Sequence, residues 1–493
     1  MRPGVNVTTR EAAPPSTVPT TVGTGFMVGV TEAGPSNPTI DDLVQNMDEY
    51  TRRYAPNGRT YTQAIAMYDS AETFFAEGGN RLFVGRVHGP DAVAATVTLN
   101  DSVAAPCLVV TARGAGEWAN DYDVVIRTNA EDSNIPVGSF RIRLVLDSEI
   151  IDESYDLANV EAALTWSLSN DIISLAGSTS VLDPVAGTFS LAGGDNDIAA
   201  ITNSEWQTAI DSLSIALGPG ILFAPGVTTG AIYNMLAEGA RRDLRVAFLD
   251  GPDTATAVTL INAAKLVVDS TLSRSRFCGF FAPWLTVAGL TSTTVRKVPP
   301  SPAVAAVFCR NVANGLSANE PAAGENGRFR TVLDLTQVYT DADRQNLNEN
   351  GVNVIRDIYG VRKVYGWRTV ADPVNDPRWI ALNNSILHRQ IVAQAGIIGE
   401  RFIFRQIDGQ GRLIGEFGAS LEGNICMPMF AAGEFFGATA DEAYKVDVGP
   451  SVNTNATIAN NELRAIISVR MSPFGEEVNI EIVKYLVTEQ IPV

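Results

Sequence analysis

Apolar residues recur along this chain in two rhythms, and their alternation divides it. Gly25 to Val30 (GFMVGV) and Arg81 to Val87 (RLFVGRV) are short apolar runs of the kind that form buried strands. Between them, Asp41 to Tyr54 and Tyr61 to Ala76 read as helices. In the second, Ala64, Ile65, Tyr68, Ala71, Phe74 and Phe75 recur at helical spacing, and Gly78-Gly79 supplies a stop. Strand, helix and strand in that order predict an α/β layer. From about Pro90 to Leu191 the rhythm changes to short alternating runs (Thr96 to Leu99, Cys107 to Ala112, Asp123 to Thr128, Phe140 to Leu146) separated by turn residues. This predicts an inserted all-β or α+β unit, left through Gly193-Gly194-Asp195-Asn196.

The helical rhythm then returns. Asn203 or Ser204 is placed to cap a helix with Trp206, Ile210, Leu213 and Leu217 on one face. Ile221 to Ala224, Leu244 to Leu249 and Arg276 to Ala282 read as strands, with Ala231 to Arg242 and Ala255 to Asp269 as helices between them. Val298-Pro299-Pro300-Ser301-Pro302 breaks the chain before a helix, Ala303 to Asn314, and Gly315 to Gly327 reads as loop. Tyr339 to Glu349 as helix, Val352 to Tyr359 as strand and Trp379 to about Gly399 as a long helix follow. Short apolar strands alternating with helices imply a parallel sheet covered on both faces.

Gly437 to Ile482 reads as a short helix, a strand, a polar loop and two long strands. Leu463, Ala465, Ile467, Val469 and Met471 have the period of two that marks a half-buried strand, as do Val478, Ile480 and Ile482. A terminus made of strand-forming residues can pair with another molecule's sheet edge. Met1 to about Val22, rich in Pro, Thr and Val, reads as an extended arm without a core of its own. The predicted fold class is therefore a multidomain α/β and α+β chain. Residues 1–24 form an N-terminal arm, 25–89 and 196–365 the two parts of an α/β layered core, and 90–195 an inserted β-rich domain. Residues 366–482 form an α+β C-terminal domain, and 483–493 a C-terminal strand arm.

Composition narrows the function classes. The chain has 493 residues, 45% apolar and 18% charged, as in soluble globular proteins, and no apolar run approaches the ~18 residues of a membrane span. The first residues lack the apolar core of a signal peptide, so cytoplasmic synthesis is the expectation. A net charge of −19 argues against nucleic acid as partner, because phosphate binding needs clustered Lys and Arg. Cys107, Cys278, Cys309 and Cys426 are widely spaced and predict buried thiols, not a zinc site or disulfide framework.

Candidate chemistry is sparse. Gly23, Gly25 and Gly29 do not have dinucleotide-loop spacing, and neither a phosphate loop nor a nucleophile elbow is present, so no cofactor is expected. Asp250, before Gly251-Pro252-Asp253, follows a parallel-type strand, where α/β enzymes keep carboxylates; the competing reading is a turn organiser that caps the next helix. His388 has no metal-ligand partner at helical spacing and reads as a surface or satisfied histidine. Arg389, Arg401 and Arg405 make a basic stretch in an acidic chain, either a solvated helix face or a patch that docks an acidic partner.

A series of short segments, in order along nearly the whole chain, resembles the contractile-tail sheath proteins. Pro3-Gly4-Val5-Asn6-Val7 is similar to that family's P-G-V-Y-V start, and Ala71 to Val87 to its helix, double glycine and strand. Gly116-Glu117-Trp118-Ala119-Asn120-Asp121 resembles its G-x-W-G-N-D turn, with Ala119 in place of glycine. Phe223-Ala224-Pro225-Gly226-Val227, Ala282-Pro283-Trp284-Leu285 and Val298-Pro299-Pro300-Ser301 resemble its A-P-G-V, Y-P-W and V-P-P-S segments. Gly366-Trp367-Arg368 and Gly437 to Val446 resemble its W-R-Y-V-N-V strand and G-A-T-P-E-E-A-F-x-V block.

The resemblance implies a non-enzymatic structural subunit of a bacteriophage tail, assembled in the host bacterial cytoplasm. It implies homo-oligomeric hexameric rings stacked around an inner tail tube protein, bounded by baseplate and tail terminator proteins. Contraction would drive the tube through the target envelope for genome ejection. It further implies strand exchange between neighbours through Pro3, Gly4, Val5, Asn6, Val7, Val483, Leu486 and Val487. The C-terminal region would face the tube, with His388, Arg389, Arg401 and Arg405 as candidates. Type VI secretion and tailocin sheaths share these motifs, and an α/β enzyme using Asp250 is the alternative of a different class.

Overall fold

Seven short strands, nearly all apolar, assemble into one sheet. Its order is Val361–Val364, Val352–Ile358, Cys278–Ala282, Arg245–Asp250, Gly220–Phe223, Gly25–Val30 and Leu82–Val87. Every neighbour pair is parallel except the hairpin of the first two. The computed structural model describes residues 21–267, 274–291, 293–478, 480–482 and 484. The period of two sorts the strand residues onto two covered faces. Phe26, Leu222, Ala247 and Phe280 point to a core shared with the helices Asn203–Ser212, Gly230–Arg242 and Ala257–Ala264. Phe223, Phe248 and Phe281 point the other way, where Phe74, Trp367 and Phe308 stack against them or each other under the helices Ile65–Ala76 and Pro300–Ala313.

Helix ends depart from the sequence reading for local reasons. The segment expected as one helix from Asp41 is a 3-10 turn, Ile40–Asp42, and then Met47–Tyr54, because the Asn46 side chain accepts from Glu49 N at 2.9 Å and starts a new helix. The helix after the insertion is capped by Thr202 and not by Asn203 or Ser204; Thr202 and Glu205 form a reciprocal capping box. The helix expected to run to Asp269 ends at Ala264.

The insertion has its own core, separate from that of the sheet. Thr96–Asn100, Pro106–Ala112 and Ile173–Gly177 form one antiparallel sheet. Glu149–Glu153, Phe140–Leu146, Tyr122–Thr128 and Gly187–Ser190 form another. Leu108, Val110, Val124, Ile126, Ile142 and Leu144 are fully buried between them, with Trp166 of the helix Val160–Ser167.

The chain separates into two compact units at Gln394/Ala395, inside the helix Leu382–Glu400. Gly366 to Arg368 belongs to the first, since Trp367, 1% exposed, packs against Phe248, Phe281 and Phe308. In the second, Arg412–Leu421 continues through a π-helical turn, Glu422–Cys426, into Met427–Ala431. Tyr444–Asp447 then pairs antiparallel with Ile466–Val469, and a bridge from Phe435 to Met471 prolongs the ribbon. Leu463 to Met471 alternates in exposure as the period of two predicts. The second long strand expected over Val478 to Ile482 does not form among the described residues. Val478, Ile480 and Ile482 are 80%, 79% and 89% exposed. An alternating pattern specifies a strand that needs a neighbour, and no described segment of this unit supplies one.

Candidate functional site

Three of the segments singled out in the sequence meet at Asp250, the last residue of a central strand. Its carboxylate accepts from Gly226 N at 2.9 Å, Ser301 N at 2.6 Å and Ser301 Oγ at 2.7 Å. Trp284 Nε1 donates to the carbonyl of the adjacent Gly251 at 2.8 Å. The A-P-G-V and V-P-P-S stretches are thus tied to the Asp250 carboxyl group, and the A-P-W stretch to the carbonyl of the next residue. It caps a helix, as one reading of Asp250 held, but the helix is Pro300–Ala313 and not the next one, Ala257–Ala264, whose own cap is Thr256. Burial pushes the Asp250 carboxyl up to about 7, opposed by the bonds from Gly226 and Ser301. Both oxygens are engaged by the protein's own donors, and the residue is 1% exposed.

In open α/β sheets, ligands bind outside the carboxyl ends of the strands where strand order reverses. Here that point lies between Gly25–Val30 and Gly220–Phe223, which are neighbours in the sheet although Leu82–Val87 and the insertion separate them in the chain. The base of the insertion is tied in one strand further along, at the carboxyl ends of Gly25–Val30 and Leu82–Val87. Arg86, 1% exposed, donates to Gly34 O at 2.8 Å, Glu32 O at 3.2 Å and Ala115 O at 2.6 Å, and to Asn196 Oδ1. Burial pulls its guanidinium down to about 10. Neither Arg86 nor Glu77 was singled out in the sequence, although Arg86 is the one charge in an otherwise apolar strand. Glu77, fully buried, accepts from Arg330 N and Thr331 N at 2.7 Å each and holds the loop before Asp334.

The basic stretch is not one surface. Arg389 is 6% exposed, with its guanidinium 3.3 Å from the Phe277 ring centroid, so it forms neither a solvated face nor part of an exposed patch. The reason is local: its position on the helix faces the first unit's core beside Ile386. His388 is half-buried against Trp379 and Phe277, with ring centroids 5.1 and 6.2 Å away. Burial, followed by the Arg389 charge, pulls its imidazole down to about 4, and its Nδ1 has no hydrogen-bond partner. Arg401 and Arg405 are exposed in the second unit, where Arg405 forks onto Glu416 at 2.8 and 2.7 Å. Pro3, Gly4, Val5, Asn6, Val7, Val483, Leu486 and Val487 lie outside the described residues. All four cysteines are buried. Among the described residues no helix is long and apolar enough to cross a membrane, and no His, Cys, Asp and Glu cluster could hold a metal.

No family model and no curated protein sequence matches the chain. Solved structures do. The chain is similar to a sheath tail protein of Desulfitobacterium hafniense, at 16% identity over 90% of this chain and 93% of that one, with a TM-score of 0.54. A sheath tail protein of Listeria innocua matches at 12% identity over 87% and 89%, TM-score 0.59. The contracted PVC sheath of an extracellular contractile injection system matches at 13% identity over 98% and 97%, TM-score 0.57. At these identities the likeness is one of backbone, and it runs through sheet, insertion and C-terminal unit alike. The fold of this chain is that of the contractile sheath proteins.

Proposed function

We propose that this chain is the repeating subunit of a contractile tail sheath, stacked as hexameric rings around an inner tube and shortening to drive that tube through a cell envelope. The observation that carries this reading is the coverage: 87% to 98% of the chain follows sheath structures. At two carboxyl-end positions, Asp250 and Arg86, the charged groups are buried and engaged by the protein's own hydrogen bonds, which supports a structural role. In this reading residues 1–24 and 483–493 are arms that add strands to neighbouring subunits through Pro3 to Val7 and Val483, Leu486 and Val487. The C-terminal unit faces the tube with Arg401 and Arg405, and the insertion faces outwards. Assembly takes place in the host bacterial cytoplasm against baseplate and terminator proteins.

Negative-stain microscopy of the purified protein tests the proposal: striated tubes are the expected result, and a small oligomer that never polymerises under any salt condition would overturn it. The similarity to the PVC sheath favours a second reading within the same class, a subunit of another contractile injection system. Capsid genes beside this one would decide for a phage tail, and their absence for the injection machine.

A further inference from the structure

We propose that the insertion is welded to the α/β sheet through Arg86, so that residues 90–195 and the strand Leu82–Val87 move as one rigid body. An inserted domain hung on two chain crossings is free to hinge when those crossings bear few bonds. Here both are cross-tied. Gly89 N donates to Asn196 O at 2.9 Å, Val93 pairs with Asp195, and Gly116 N donates to Val93 O at 2.9 Å. Asn120 holds the exit from both sides, its Nδ2 to Gly194 O at 2.9 Å and its Oδ1 from Gly194 N at 2.8 Å.

Through this collar passes Arg86, whose fork reaches the core at Glu32 and Gly34, the insertion at Ala115 and the insertion's exit at Asn196. Asn196 returns the link, donating to Glu32 O at 3.3 Å and Tyr61 Oη at 2.9 Å. A planar, multi-donor guanidinium can span four acceptors on separate segments; a lysine ammonium, with three donors at one point, cannot. The backbones approach too closely for side chains. A Cβ on Gly114 would lie 2.8 Å from Gly34 O and one on Gly116 2.8 Å from Glu32 O, and both glycines have positive φ, +117° and +133°. The turn Gly116 to Asp121 therefore serves the joint. Ala119 stands there without strain because it lies in a 3-10 turn, Glu117–Ala119. The functional consequence is that a load or partner taken up by the insertion is transmitted to the central sheet without a compliant linker.

Pulsed electron paramagnetic resonance between nitroxides at Ser178→Cys and Gln345→Cys tests this, on the full chain diluted with unlabelled protein; both sites are exposed and the native thiols are buried. The expected result is a single narrow distance distribution in the parent, broadened at least twofold by Arg86→Met and by Asn196→Ala. Asn196 lies outside the strands, so its variant retains the sheet if Arg86→Met fails to fold. A broad or multiple distribution in the parent, or an unchanged width in a folded variant, would overturn the proposal.

Discussion

The imidazole of His388 is kept neutral by its surroundings at a pH where a free histidine begins to take a proton. With its value drawn down to about 4 in the folded chain and near 6.5 when unfolded, the unfolded state binds more protons between these limits. Stability contributed by the neutral ring is therefore full above about pH 6.5 and lost as pH falls towards 4, a cost on the order of 1–3 kcal/mol. As pH drops from 7.5 to about 4.5, the melting temperature of the parent should fall further than that of His388→Phe; equal falls would contradict this. Asp250 gives a second residue-scale expectation. Asp250→Ala strands the buried N–H groups of Gly226 and Ser301, at a cost on the order of 3 kcal/mol by chemical denaturation. Only the capping role of Asp250 was legible in the sequence, and there the helix was the wrong one. The chain showed Asp250 after a strand and Arg389 in a basic run, but which face of a helix meets a core, and which distant amide meets a carboxylate, depend on tertiary placement.

At the level of elements, the extent of a strand was legible from its own residue pattern, whereas its partner was not. Gly25–Val30 and Phe140–Leu146 appear with the bounds their periodicity gives. The cap at Thr202 was missed although its signal, Thr202 with Glu205 three residues on, is entirely local; Thr202→Ala should cost about 1 kcal/mol in a melt. Val478 to Ile482 failed for a different reason, because a period of two declares a strand without saying which chain pairs with it. If the partner is a neighbouring subunit, replacing Val478, Ile480 and Ile482 together by Ser should leave the monomer's stability within about 0.5 kcal/mol, since all three are exposed. The same substitution should abolish tubes in the microscope; normal tubes would exclude this segment from assembly.

For the whole molecule, a net charge of −19 multiplied over many copies makes association sensitive to screening. Raising ionic strength from about 0.05 to about 0.5 M shortens the Debye length severalfold and should shift the protein from small species to polymers in sedimentation velocity. A decrease in polymer would mean that attractive ion pairs dominate the contacts. The layered α/β core and the β-rich insertion were readable as classes from rhythm alone. That the insertion's base is bonded to the core around Arg86 was not, because the joint brings together residues such as Glu32 and Asn196 that stand far apart in the sequence.

The closeness of the insertion's two ends has a consequence for the order in which this chain can fold. Gly25 pairs with Ile221, so the middle of the sheet closes only across a stretch of nearly the whole intervening chain. A flexible loop of that length makes the contact slow to form. Once the insertion has folded around its own core, Gly89 and Asn196 lie a hydrogen bond apart, and the loop that remains to be closed is short. The insertion then acts as a splint: its early folding, as it leaves the ribosome ahead of Gly220–Phe223, presents the first half of the sheet to the second.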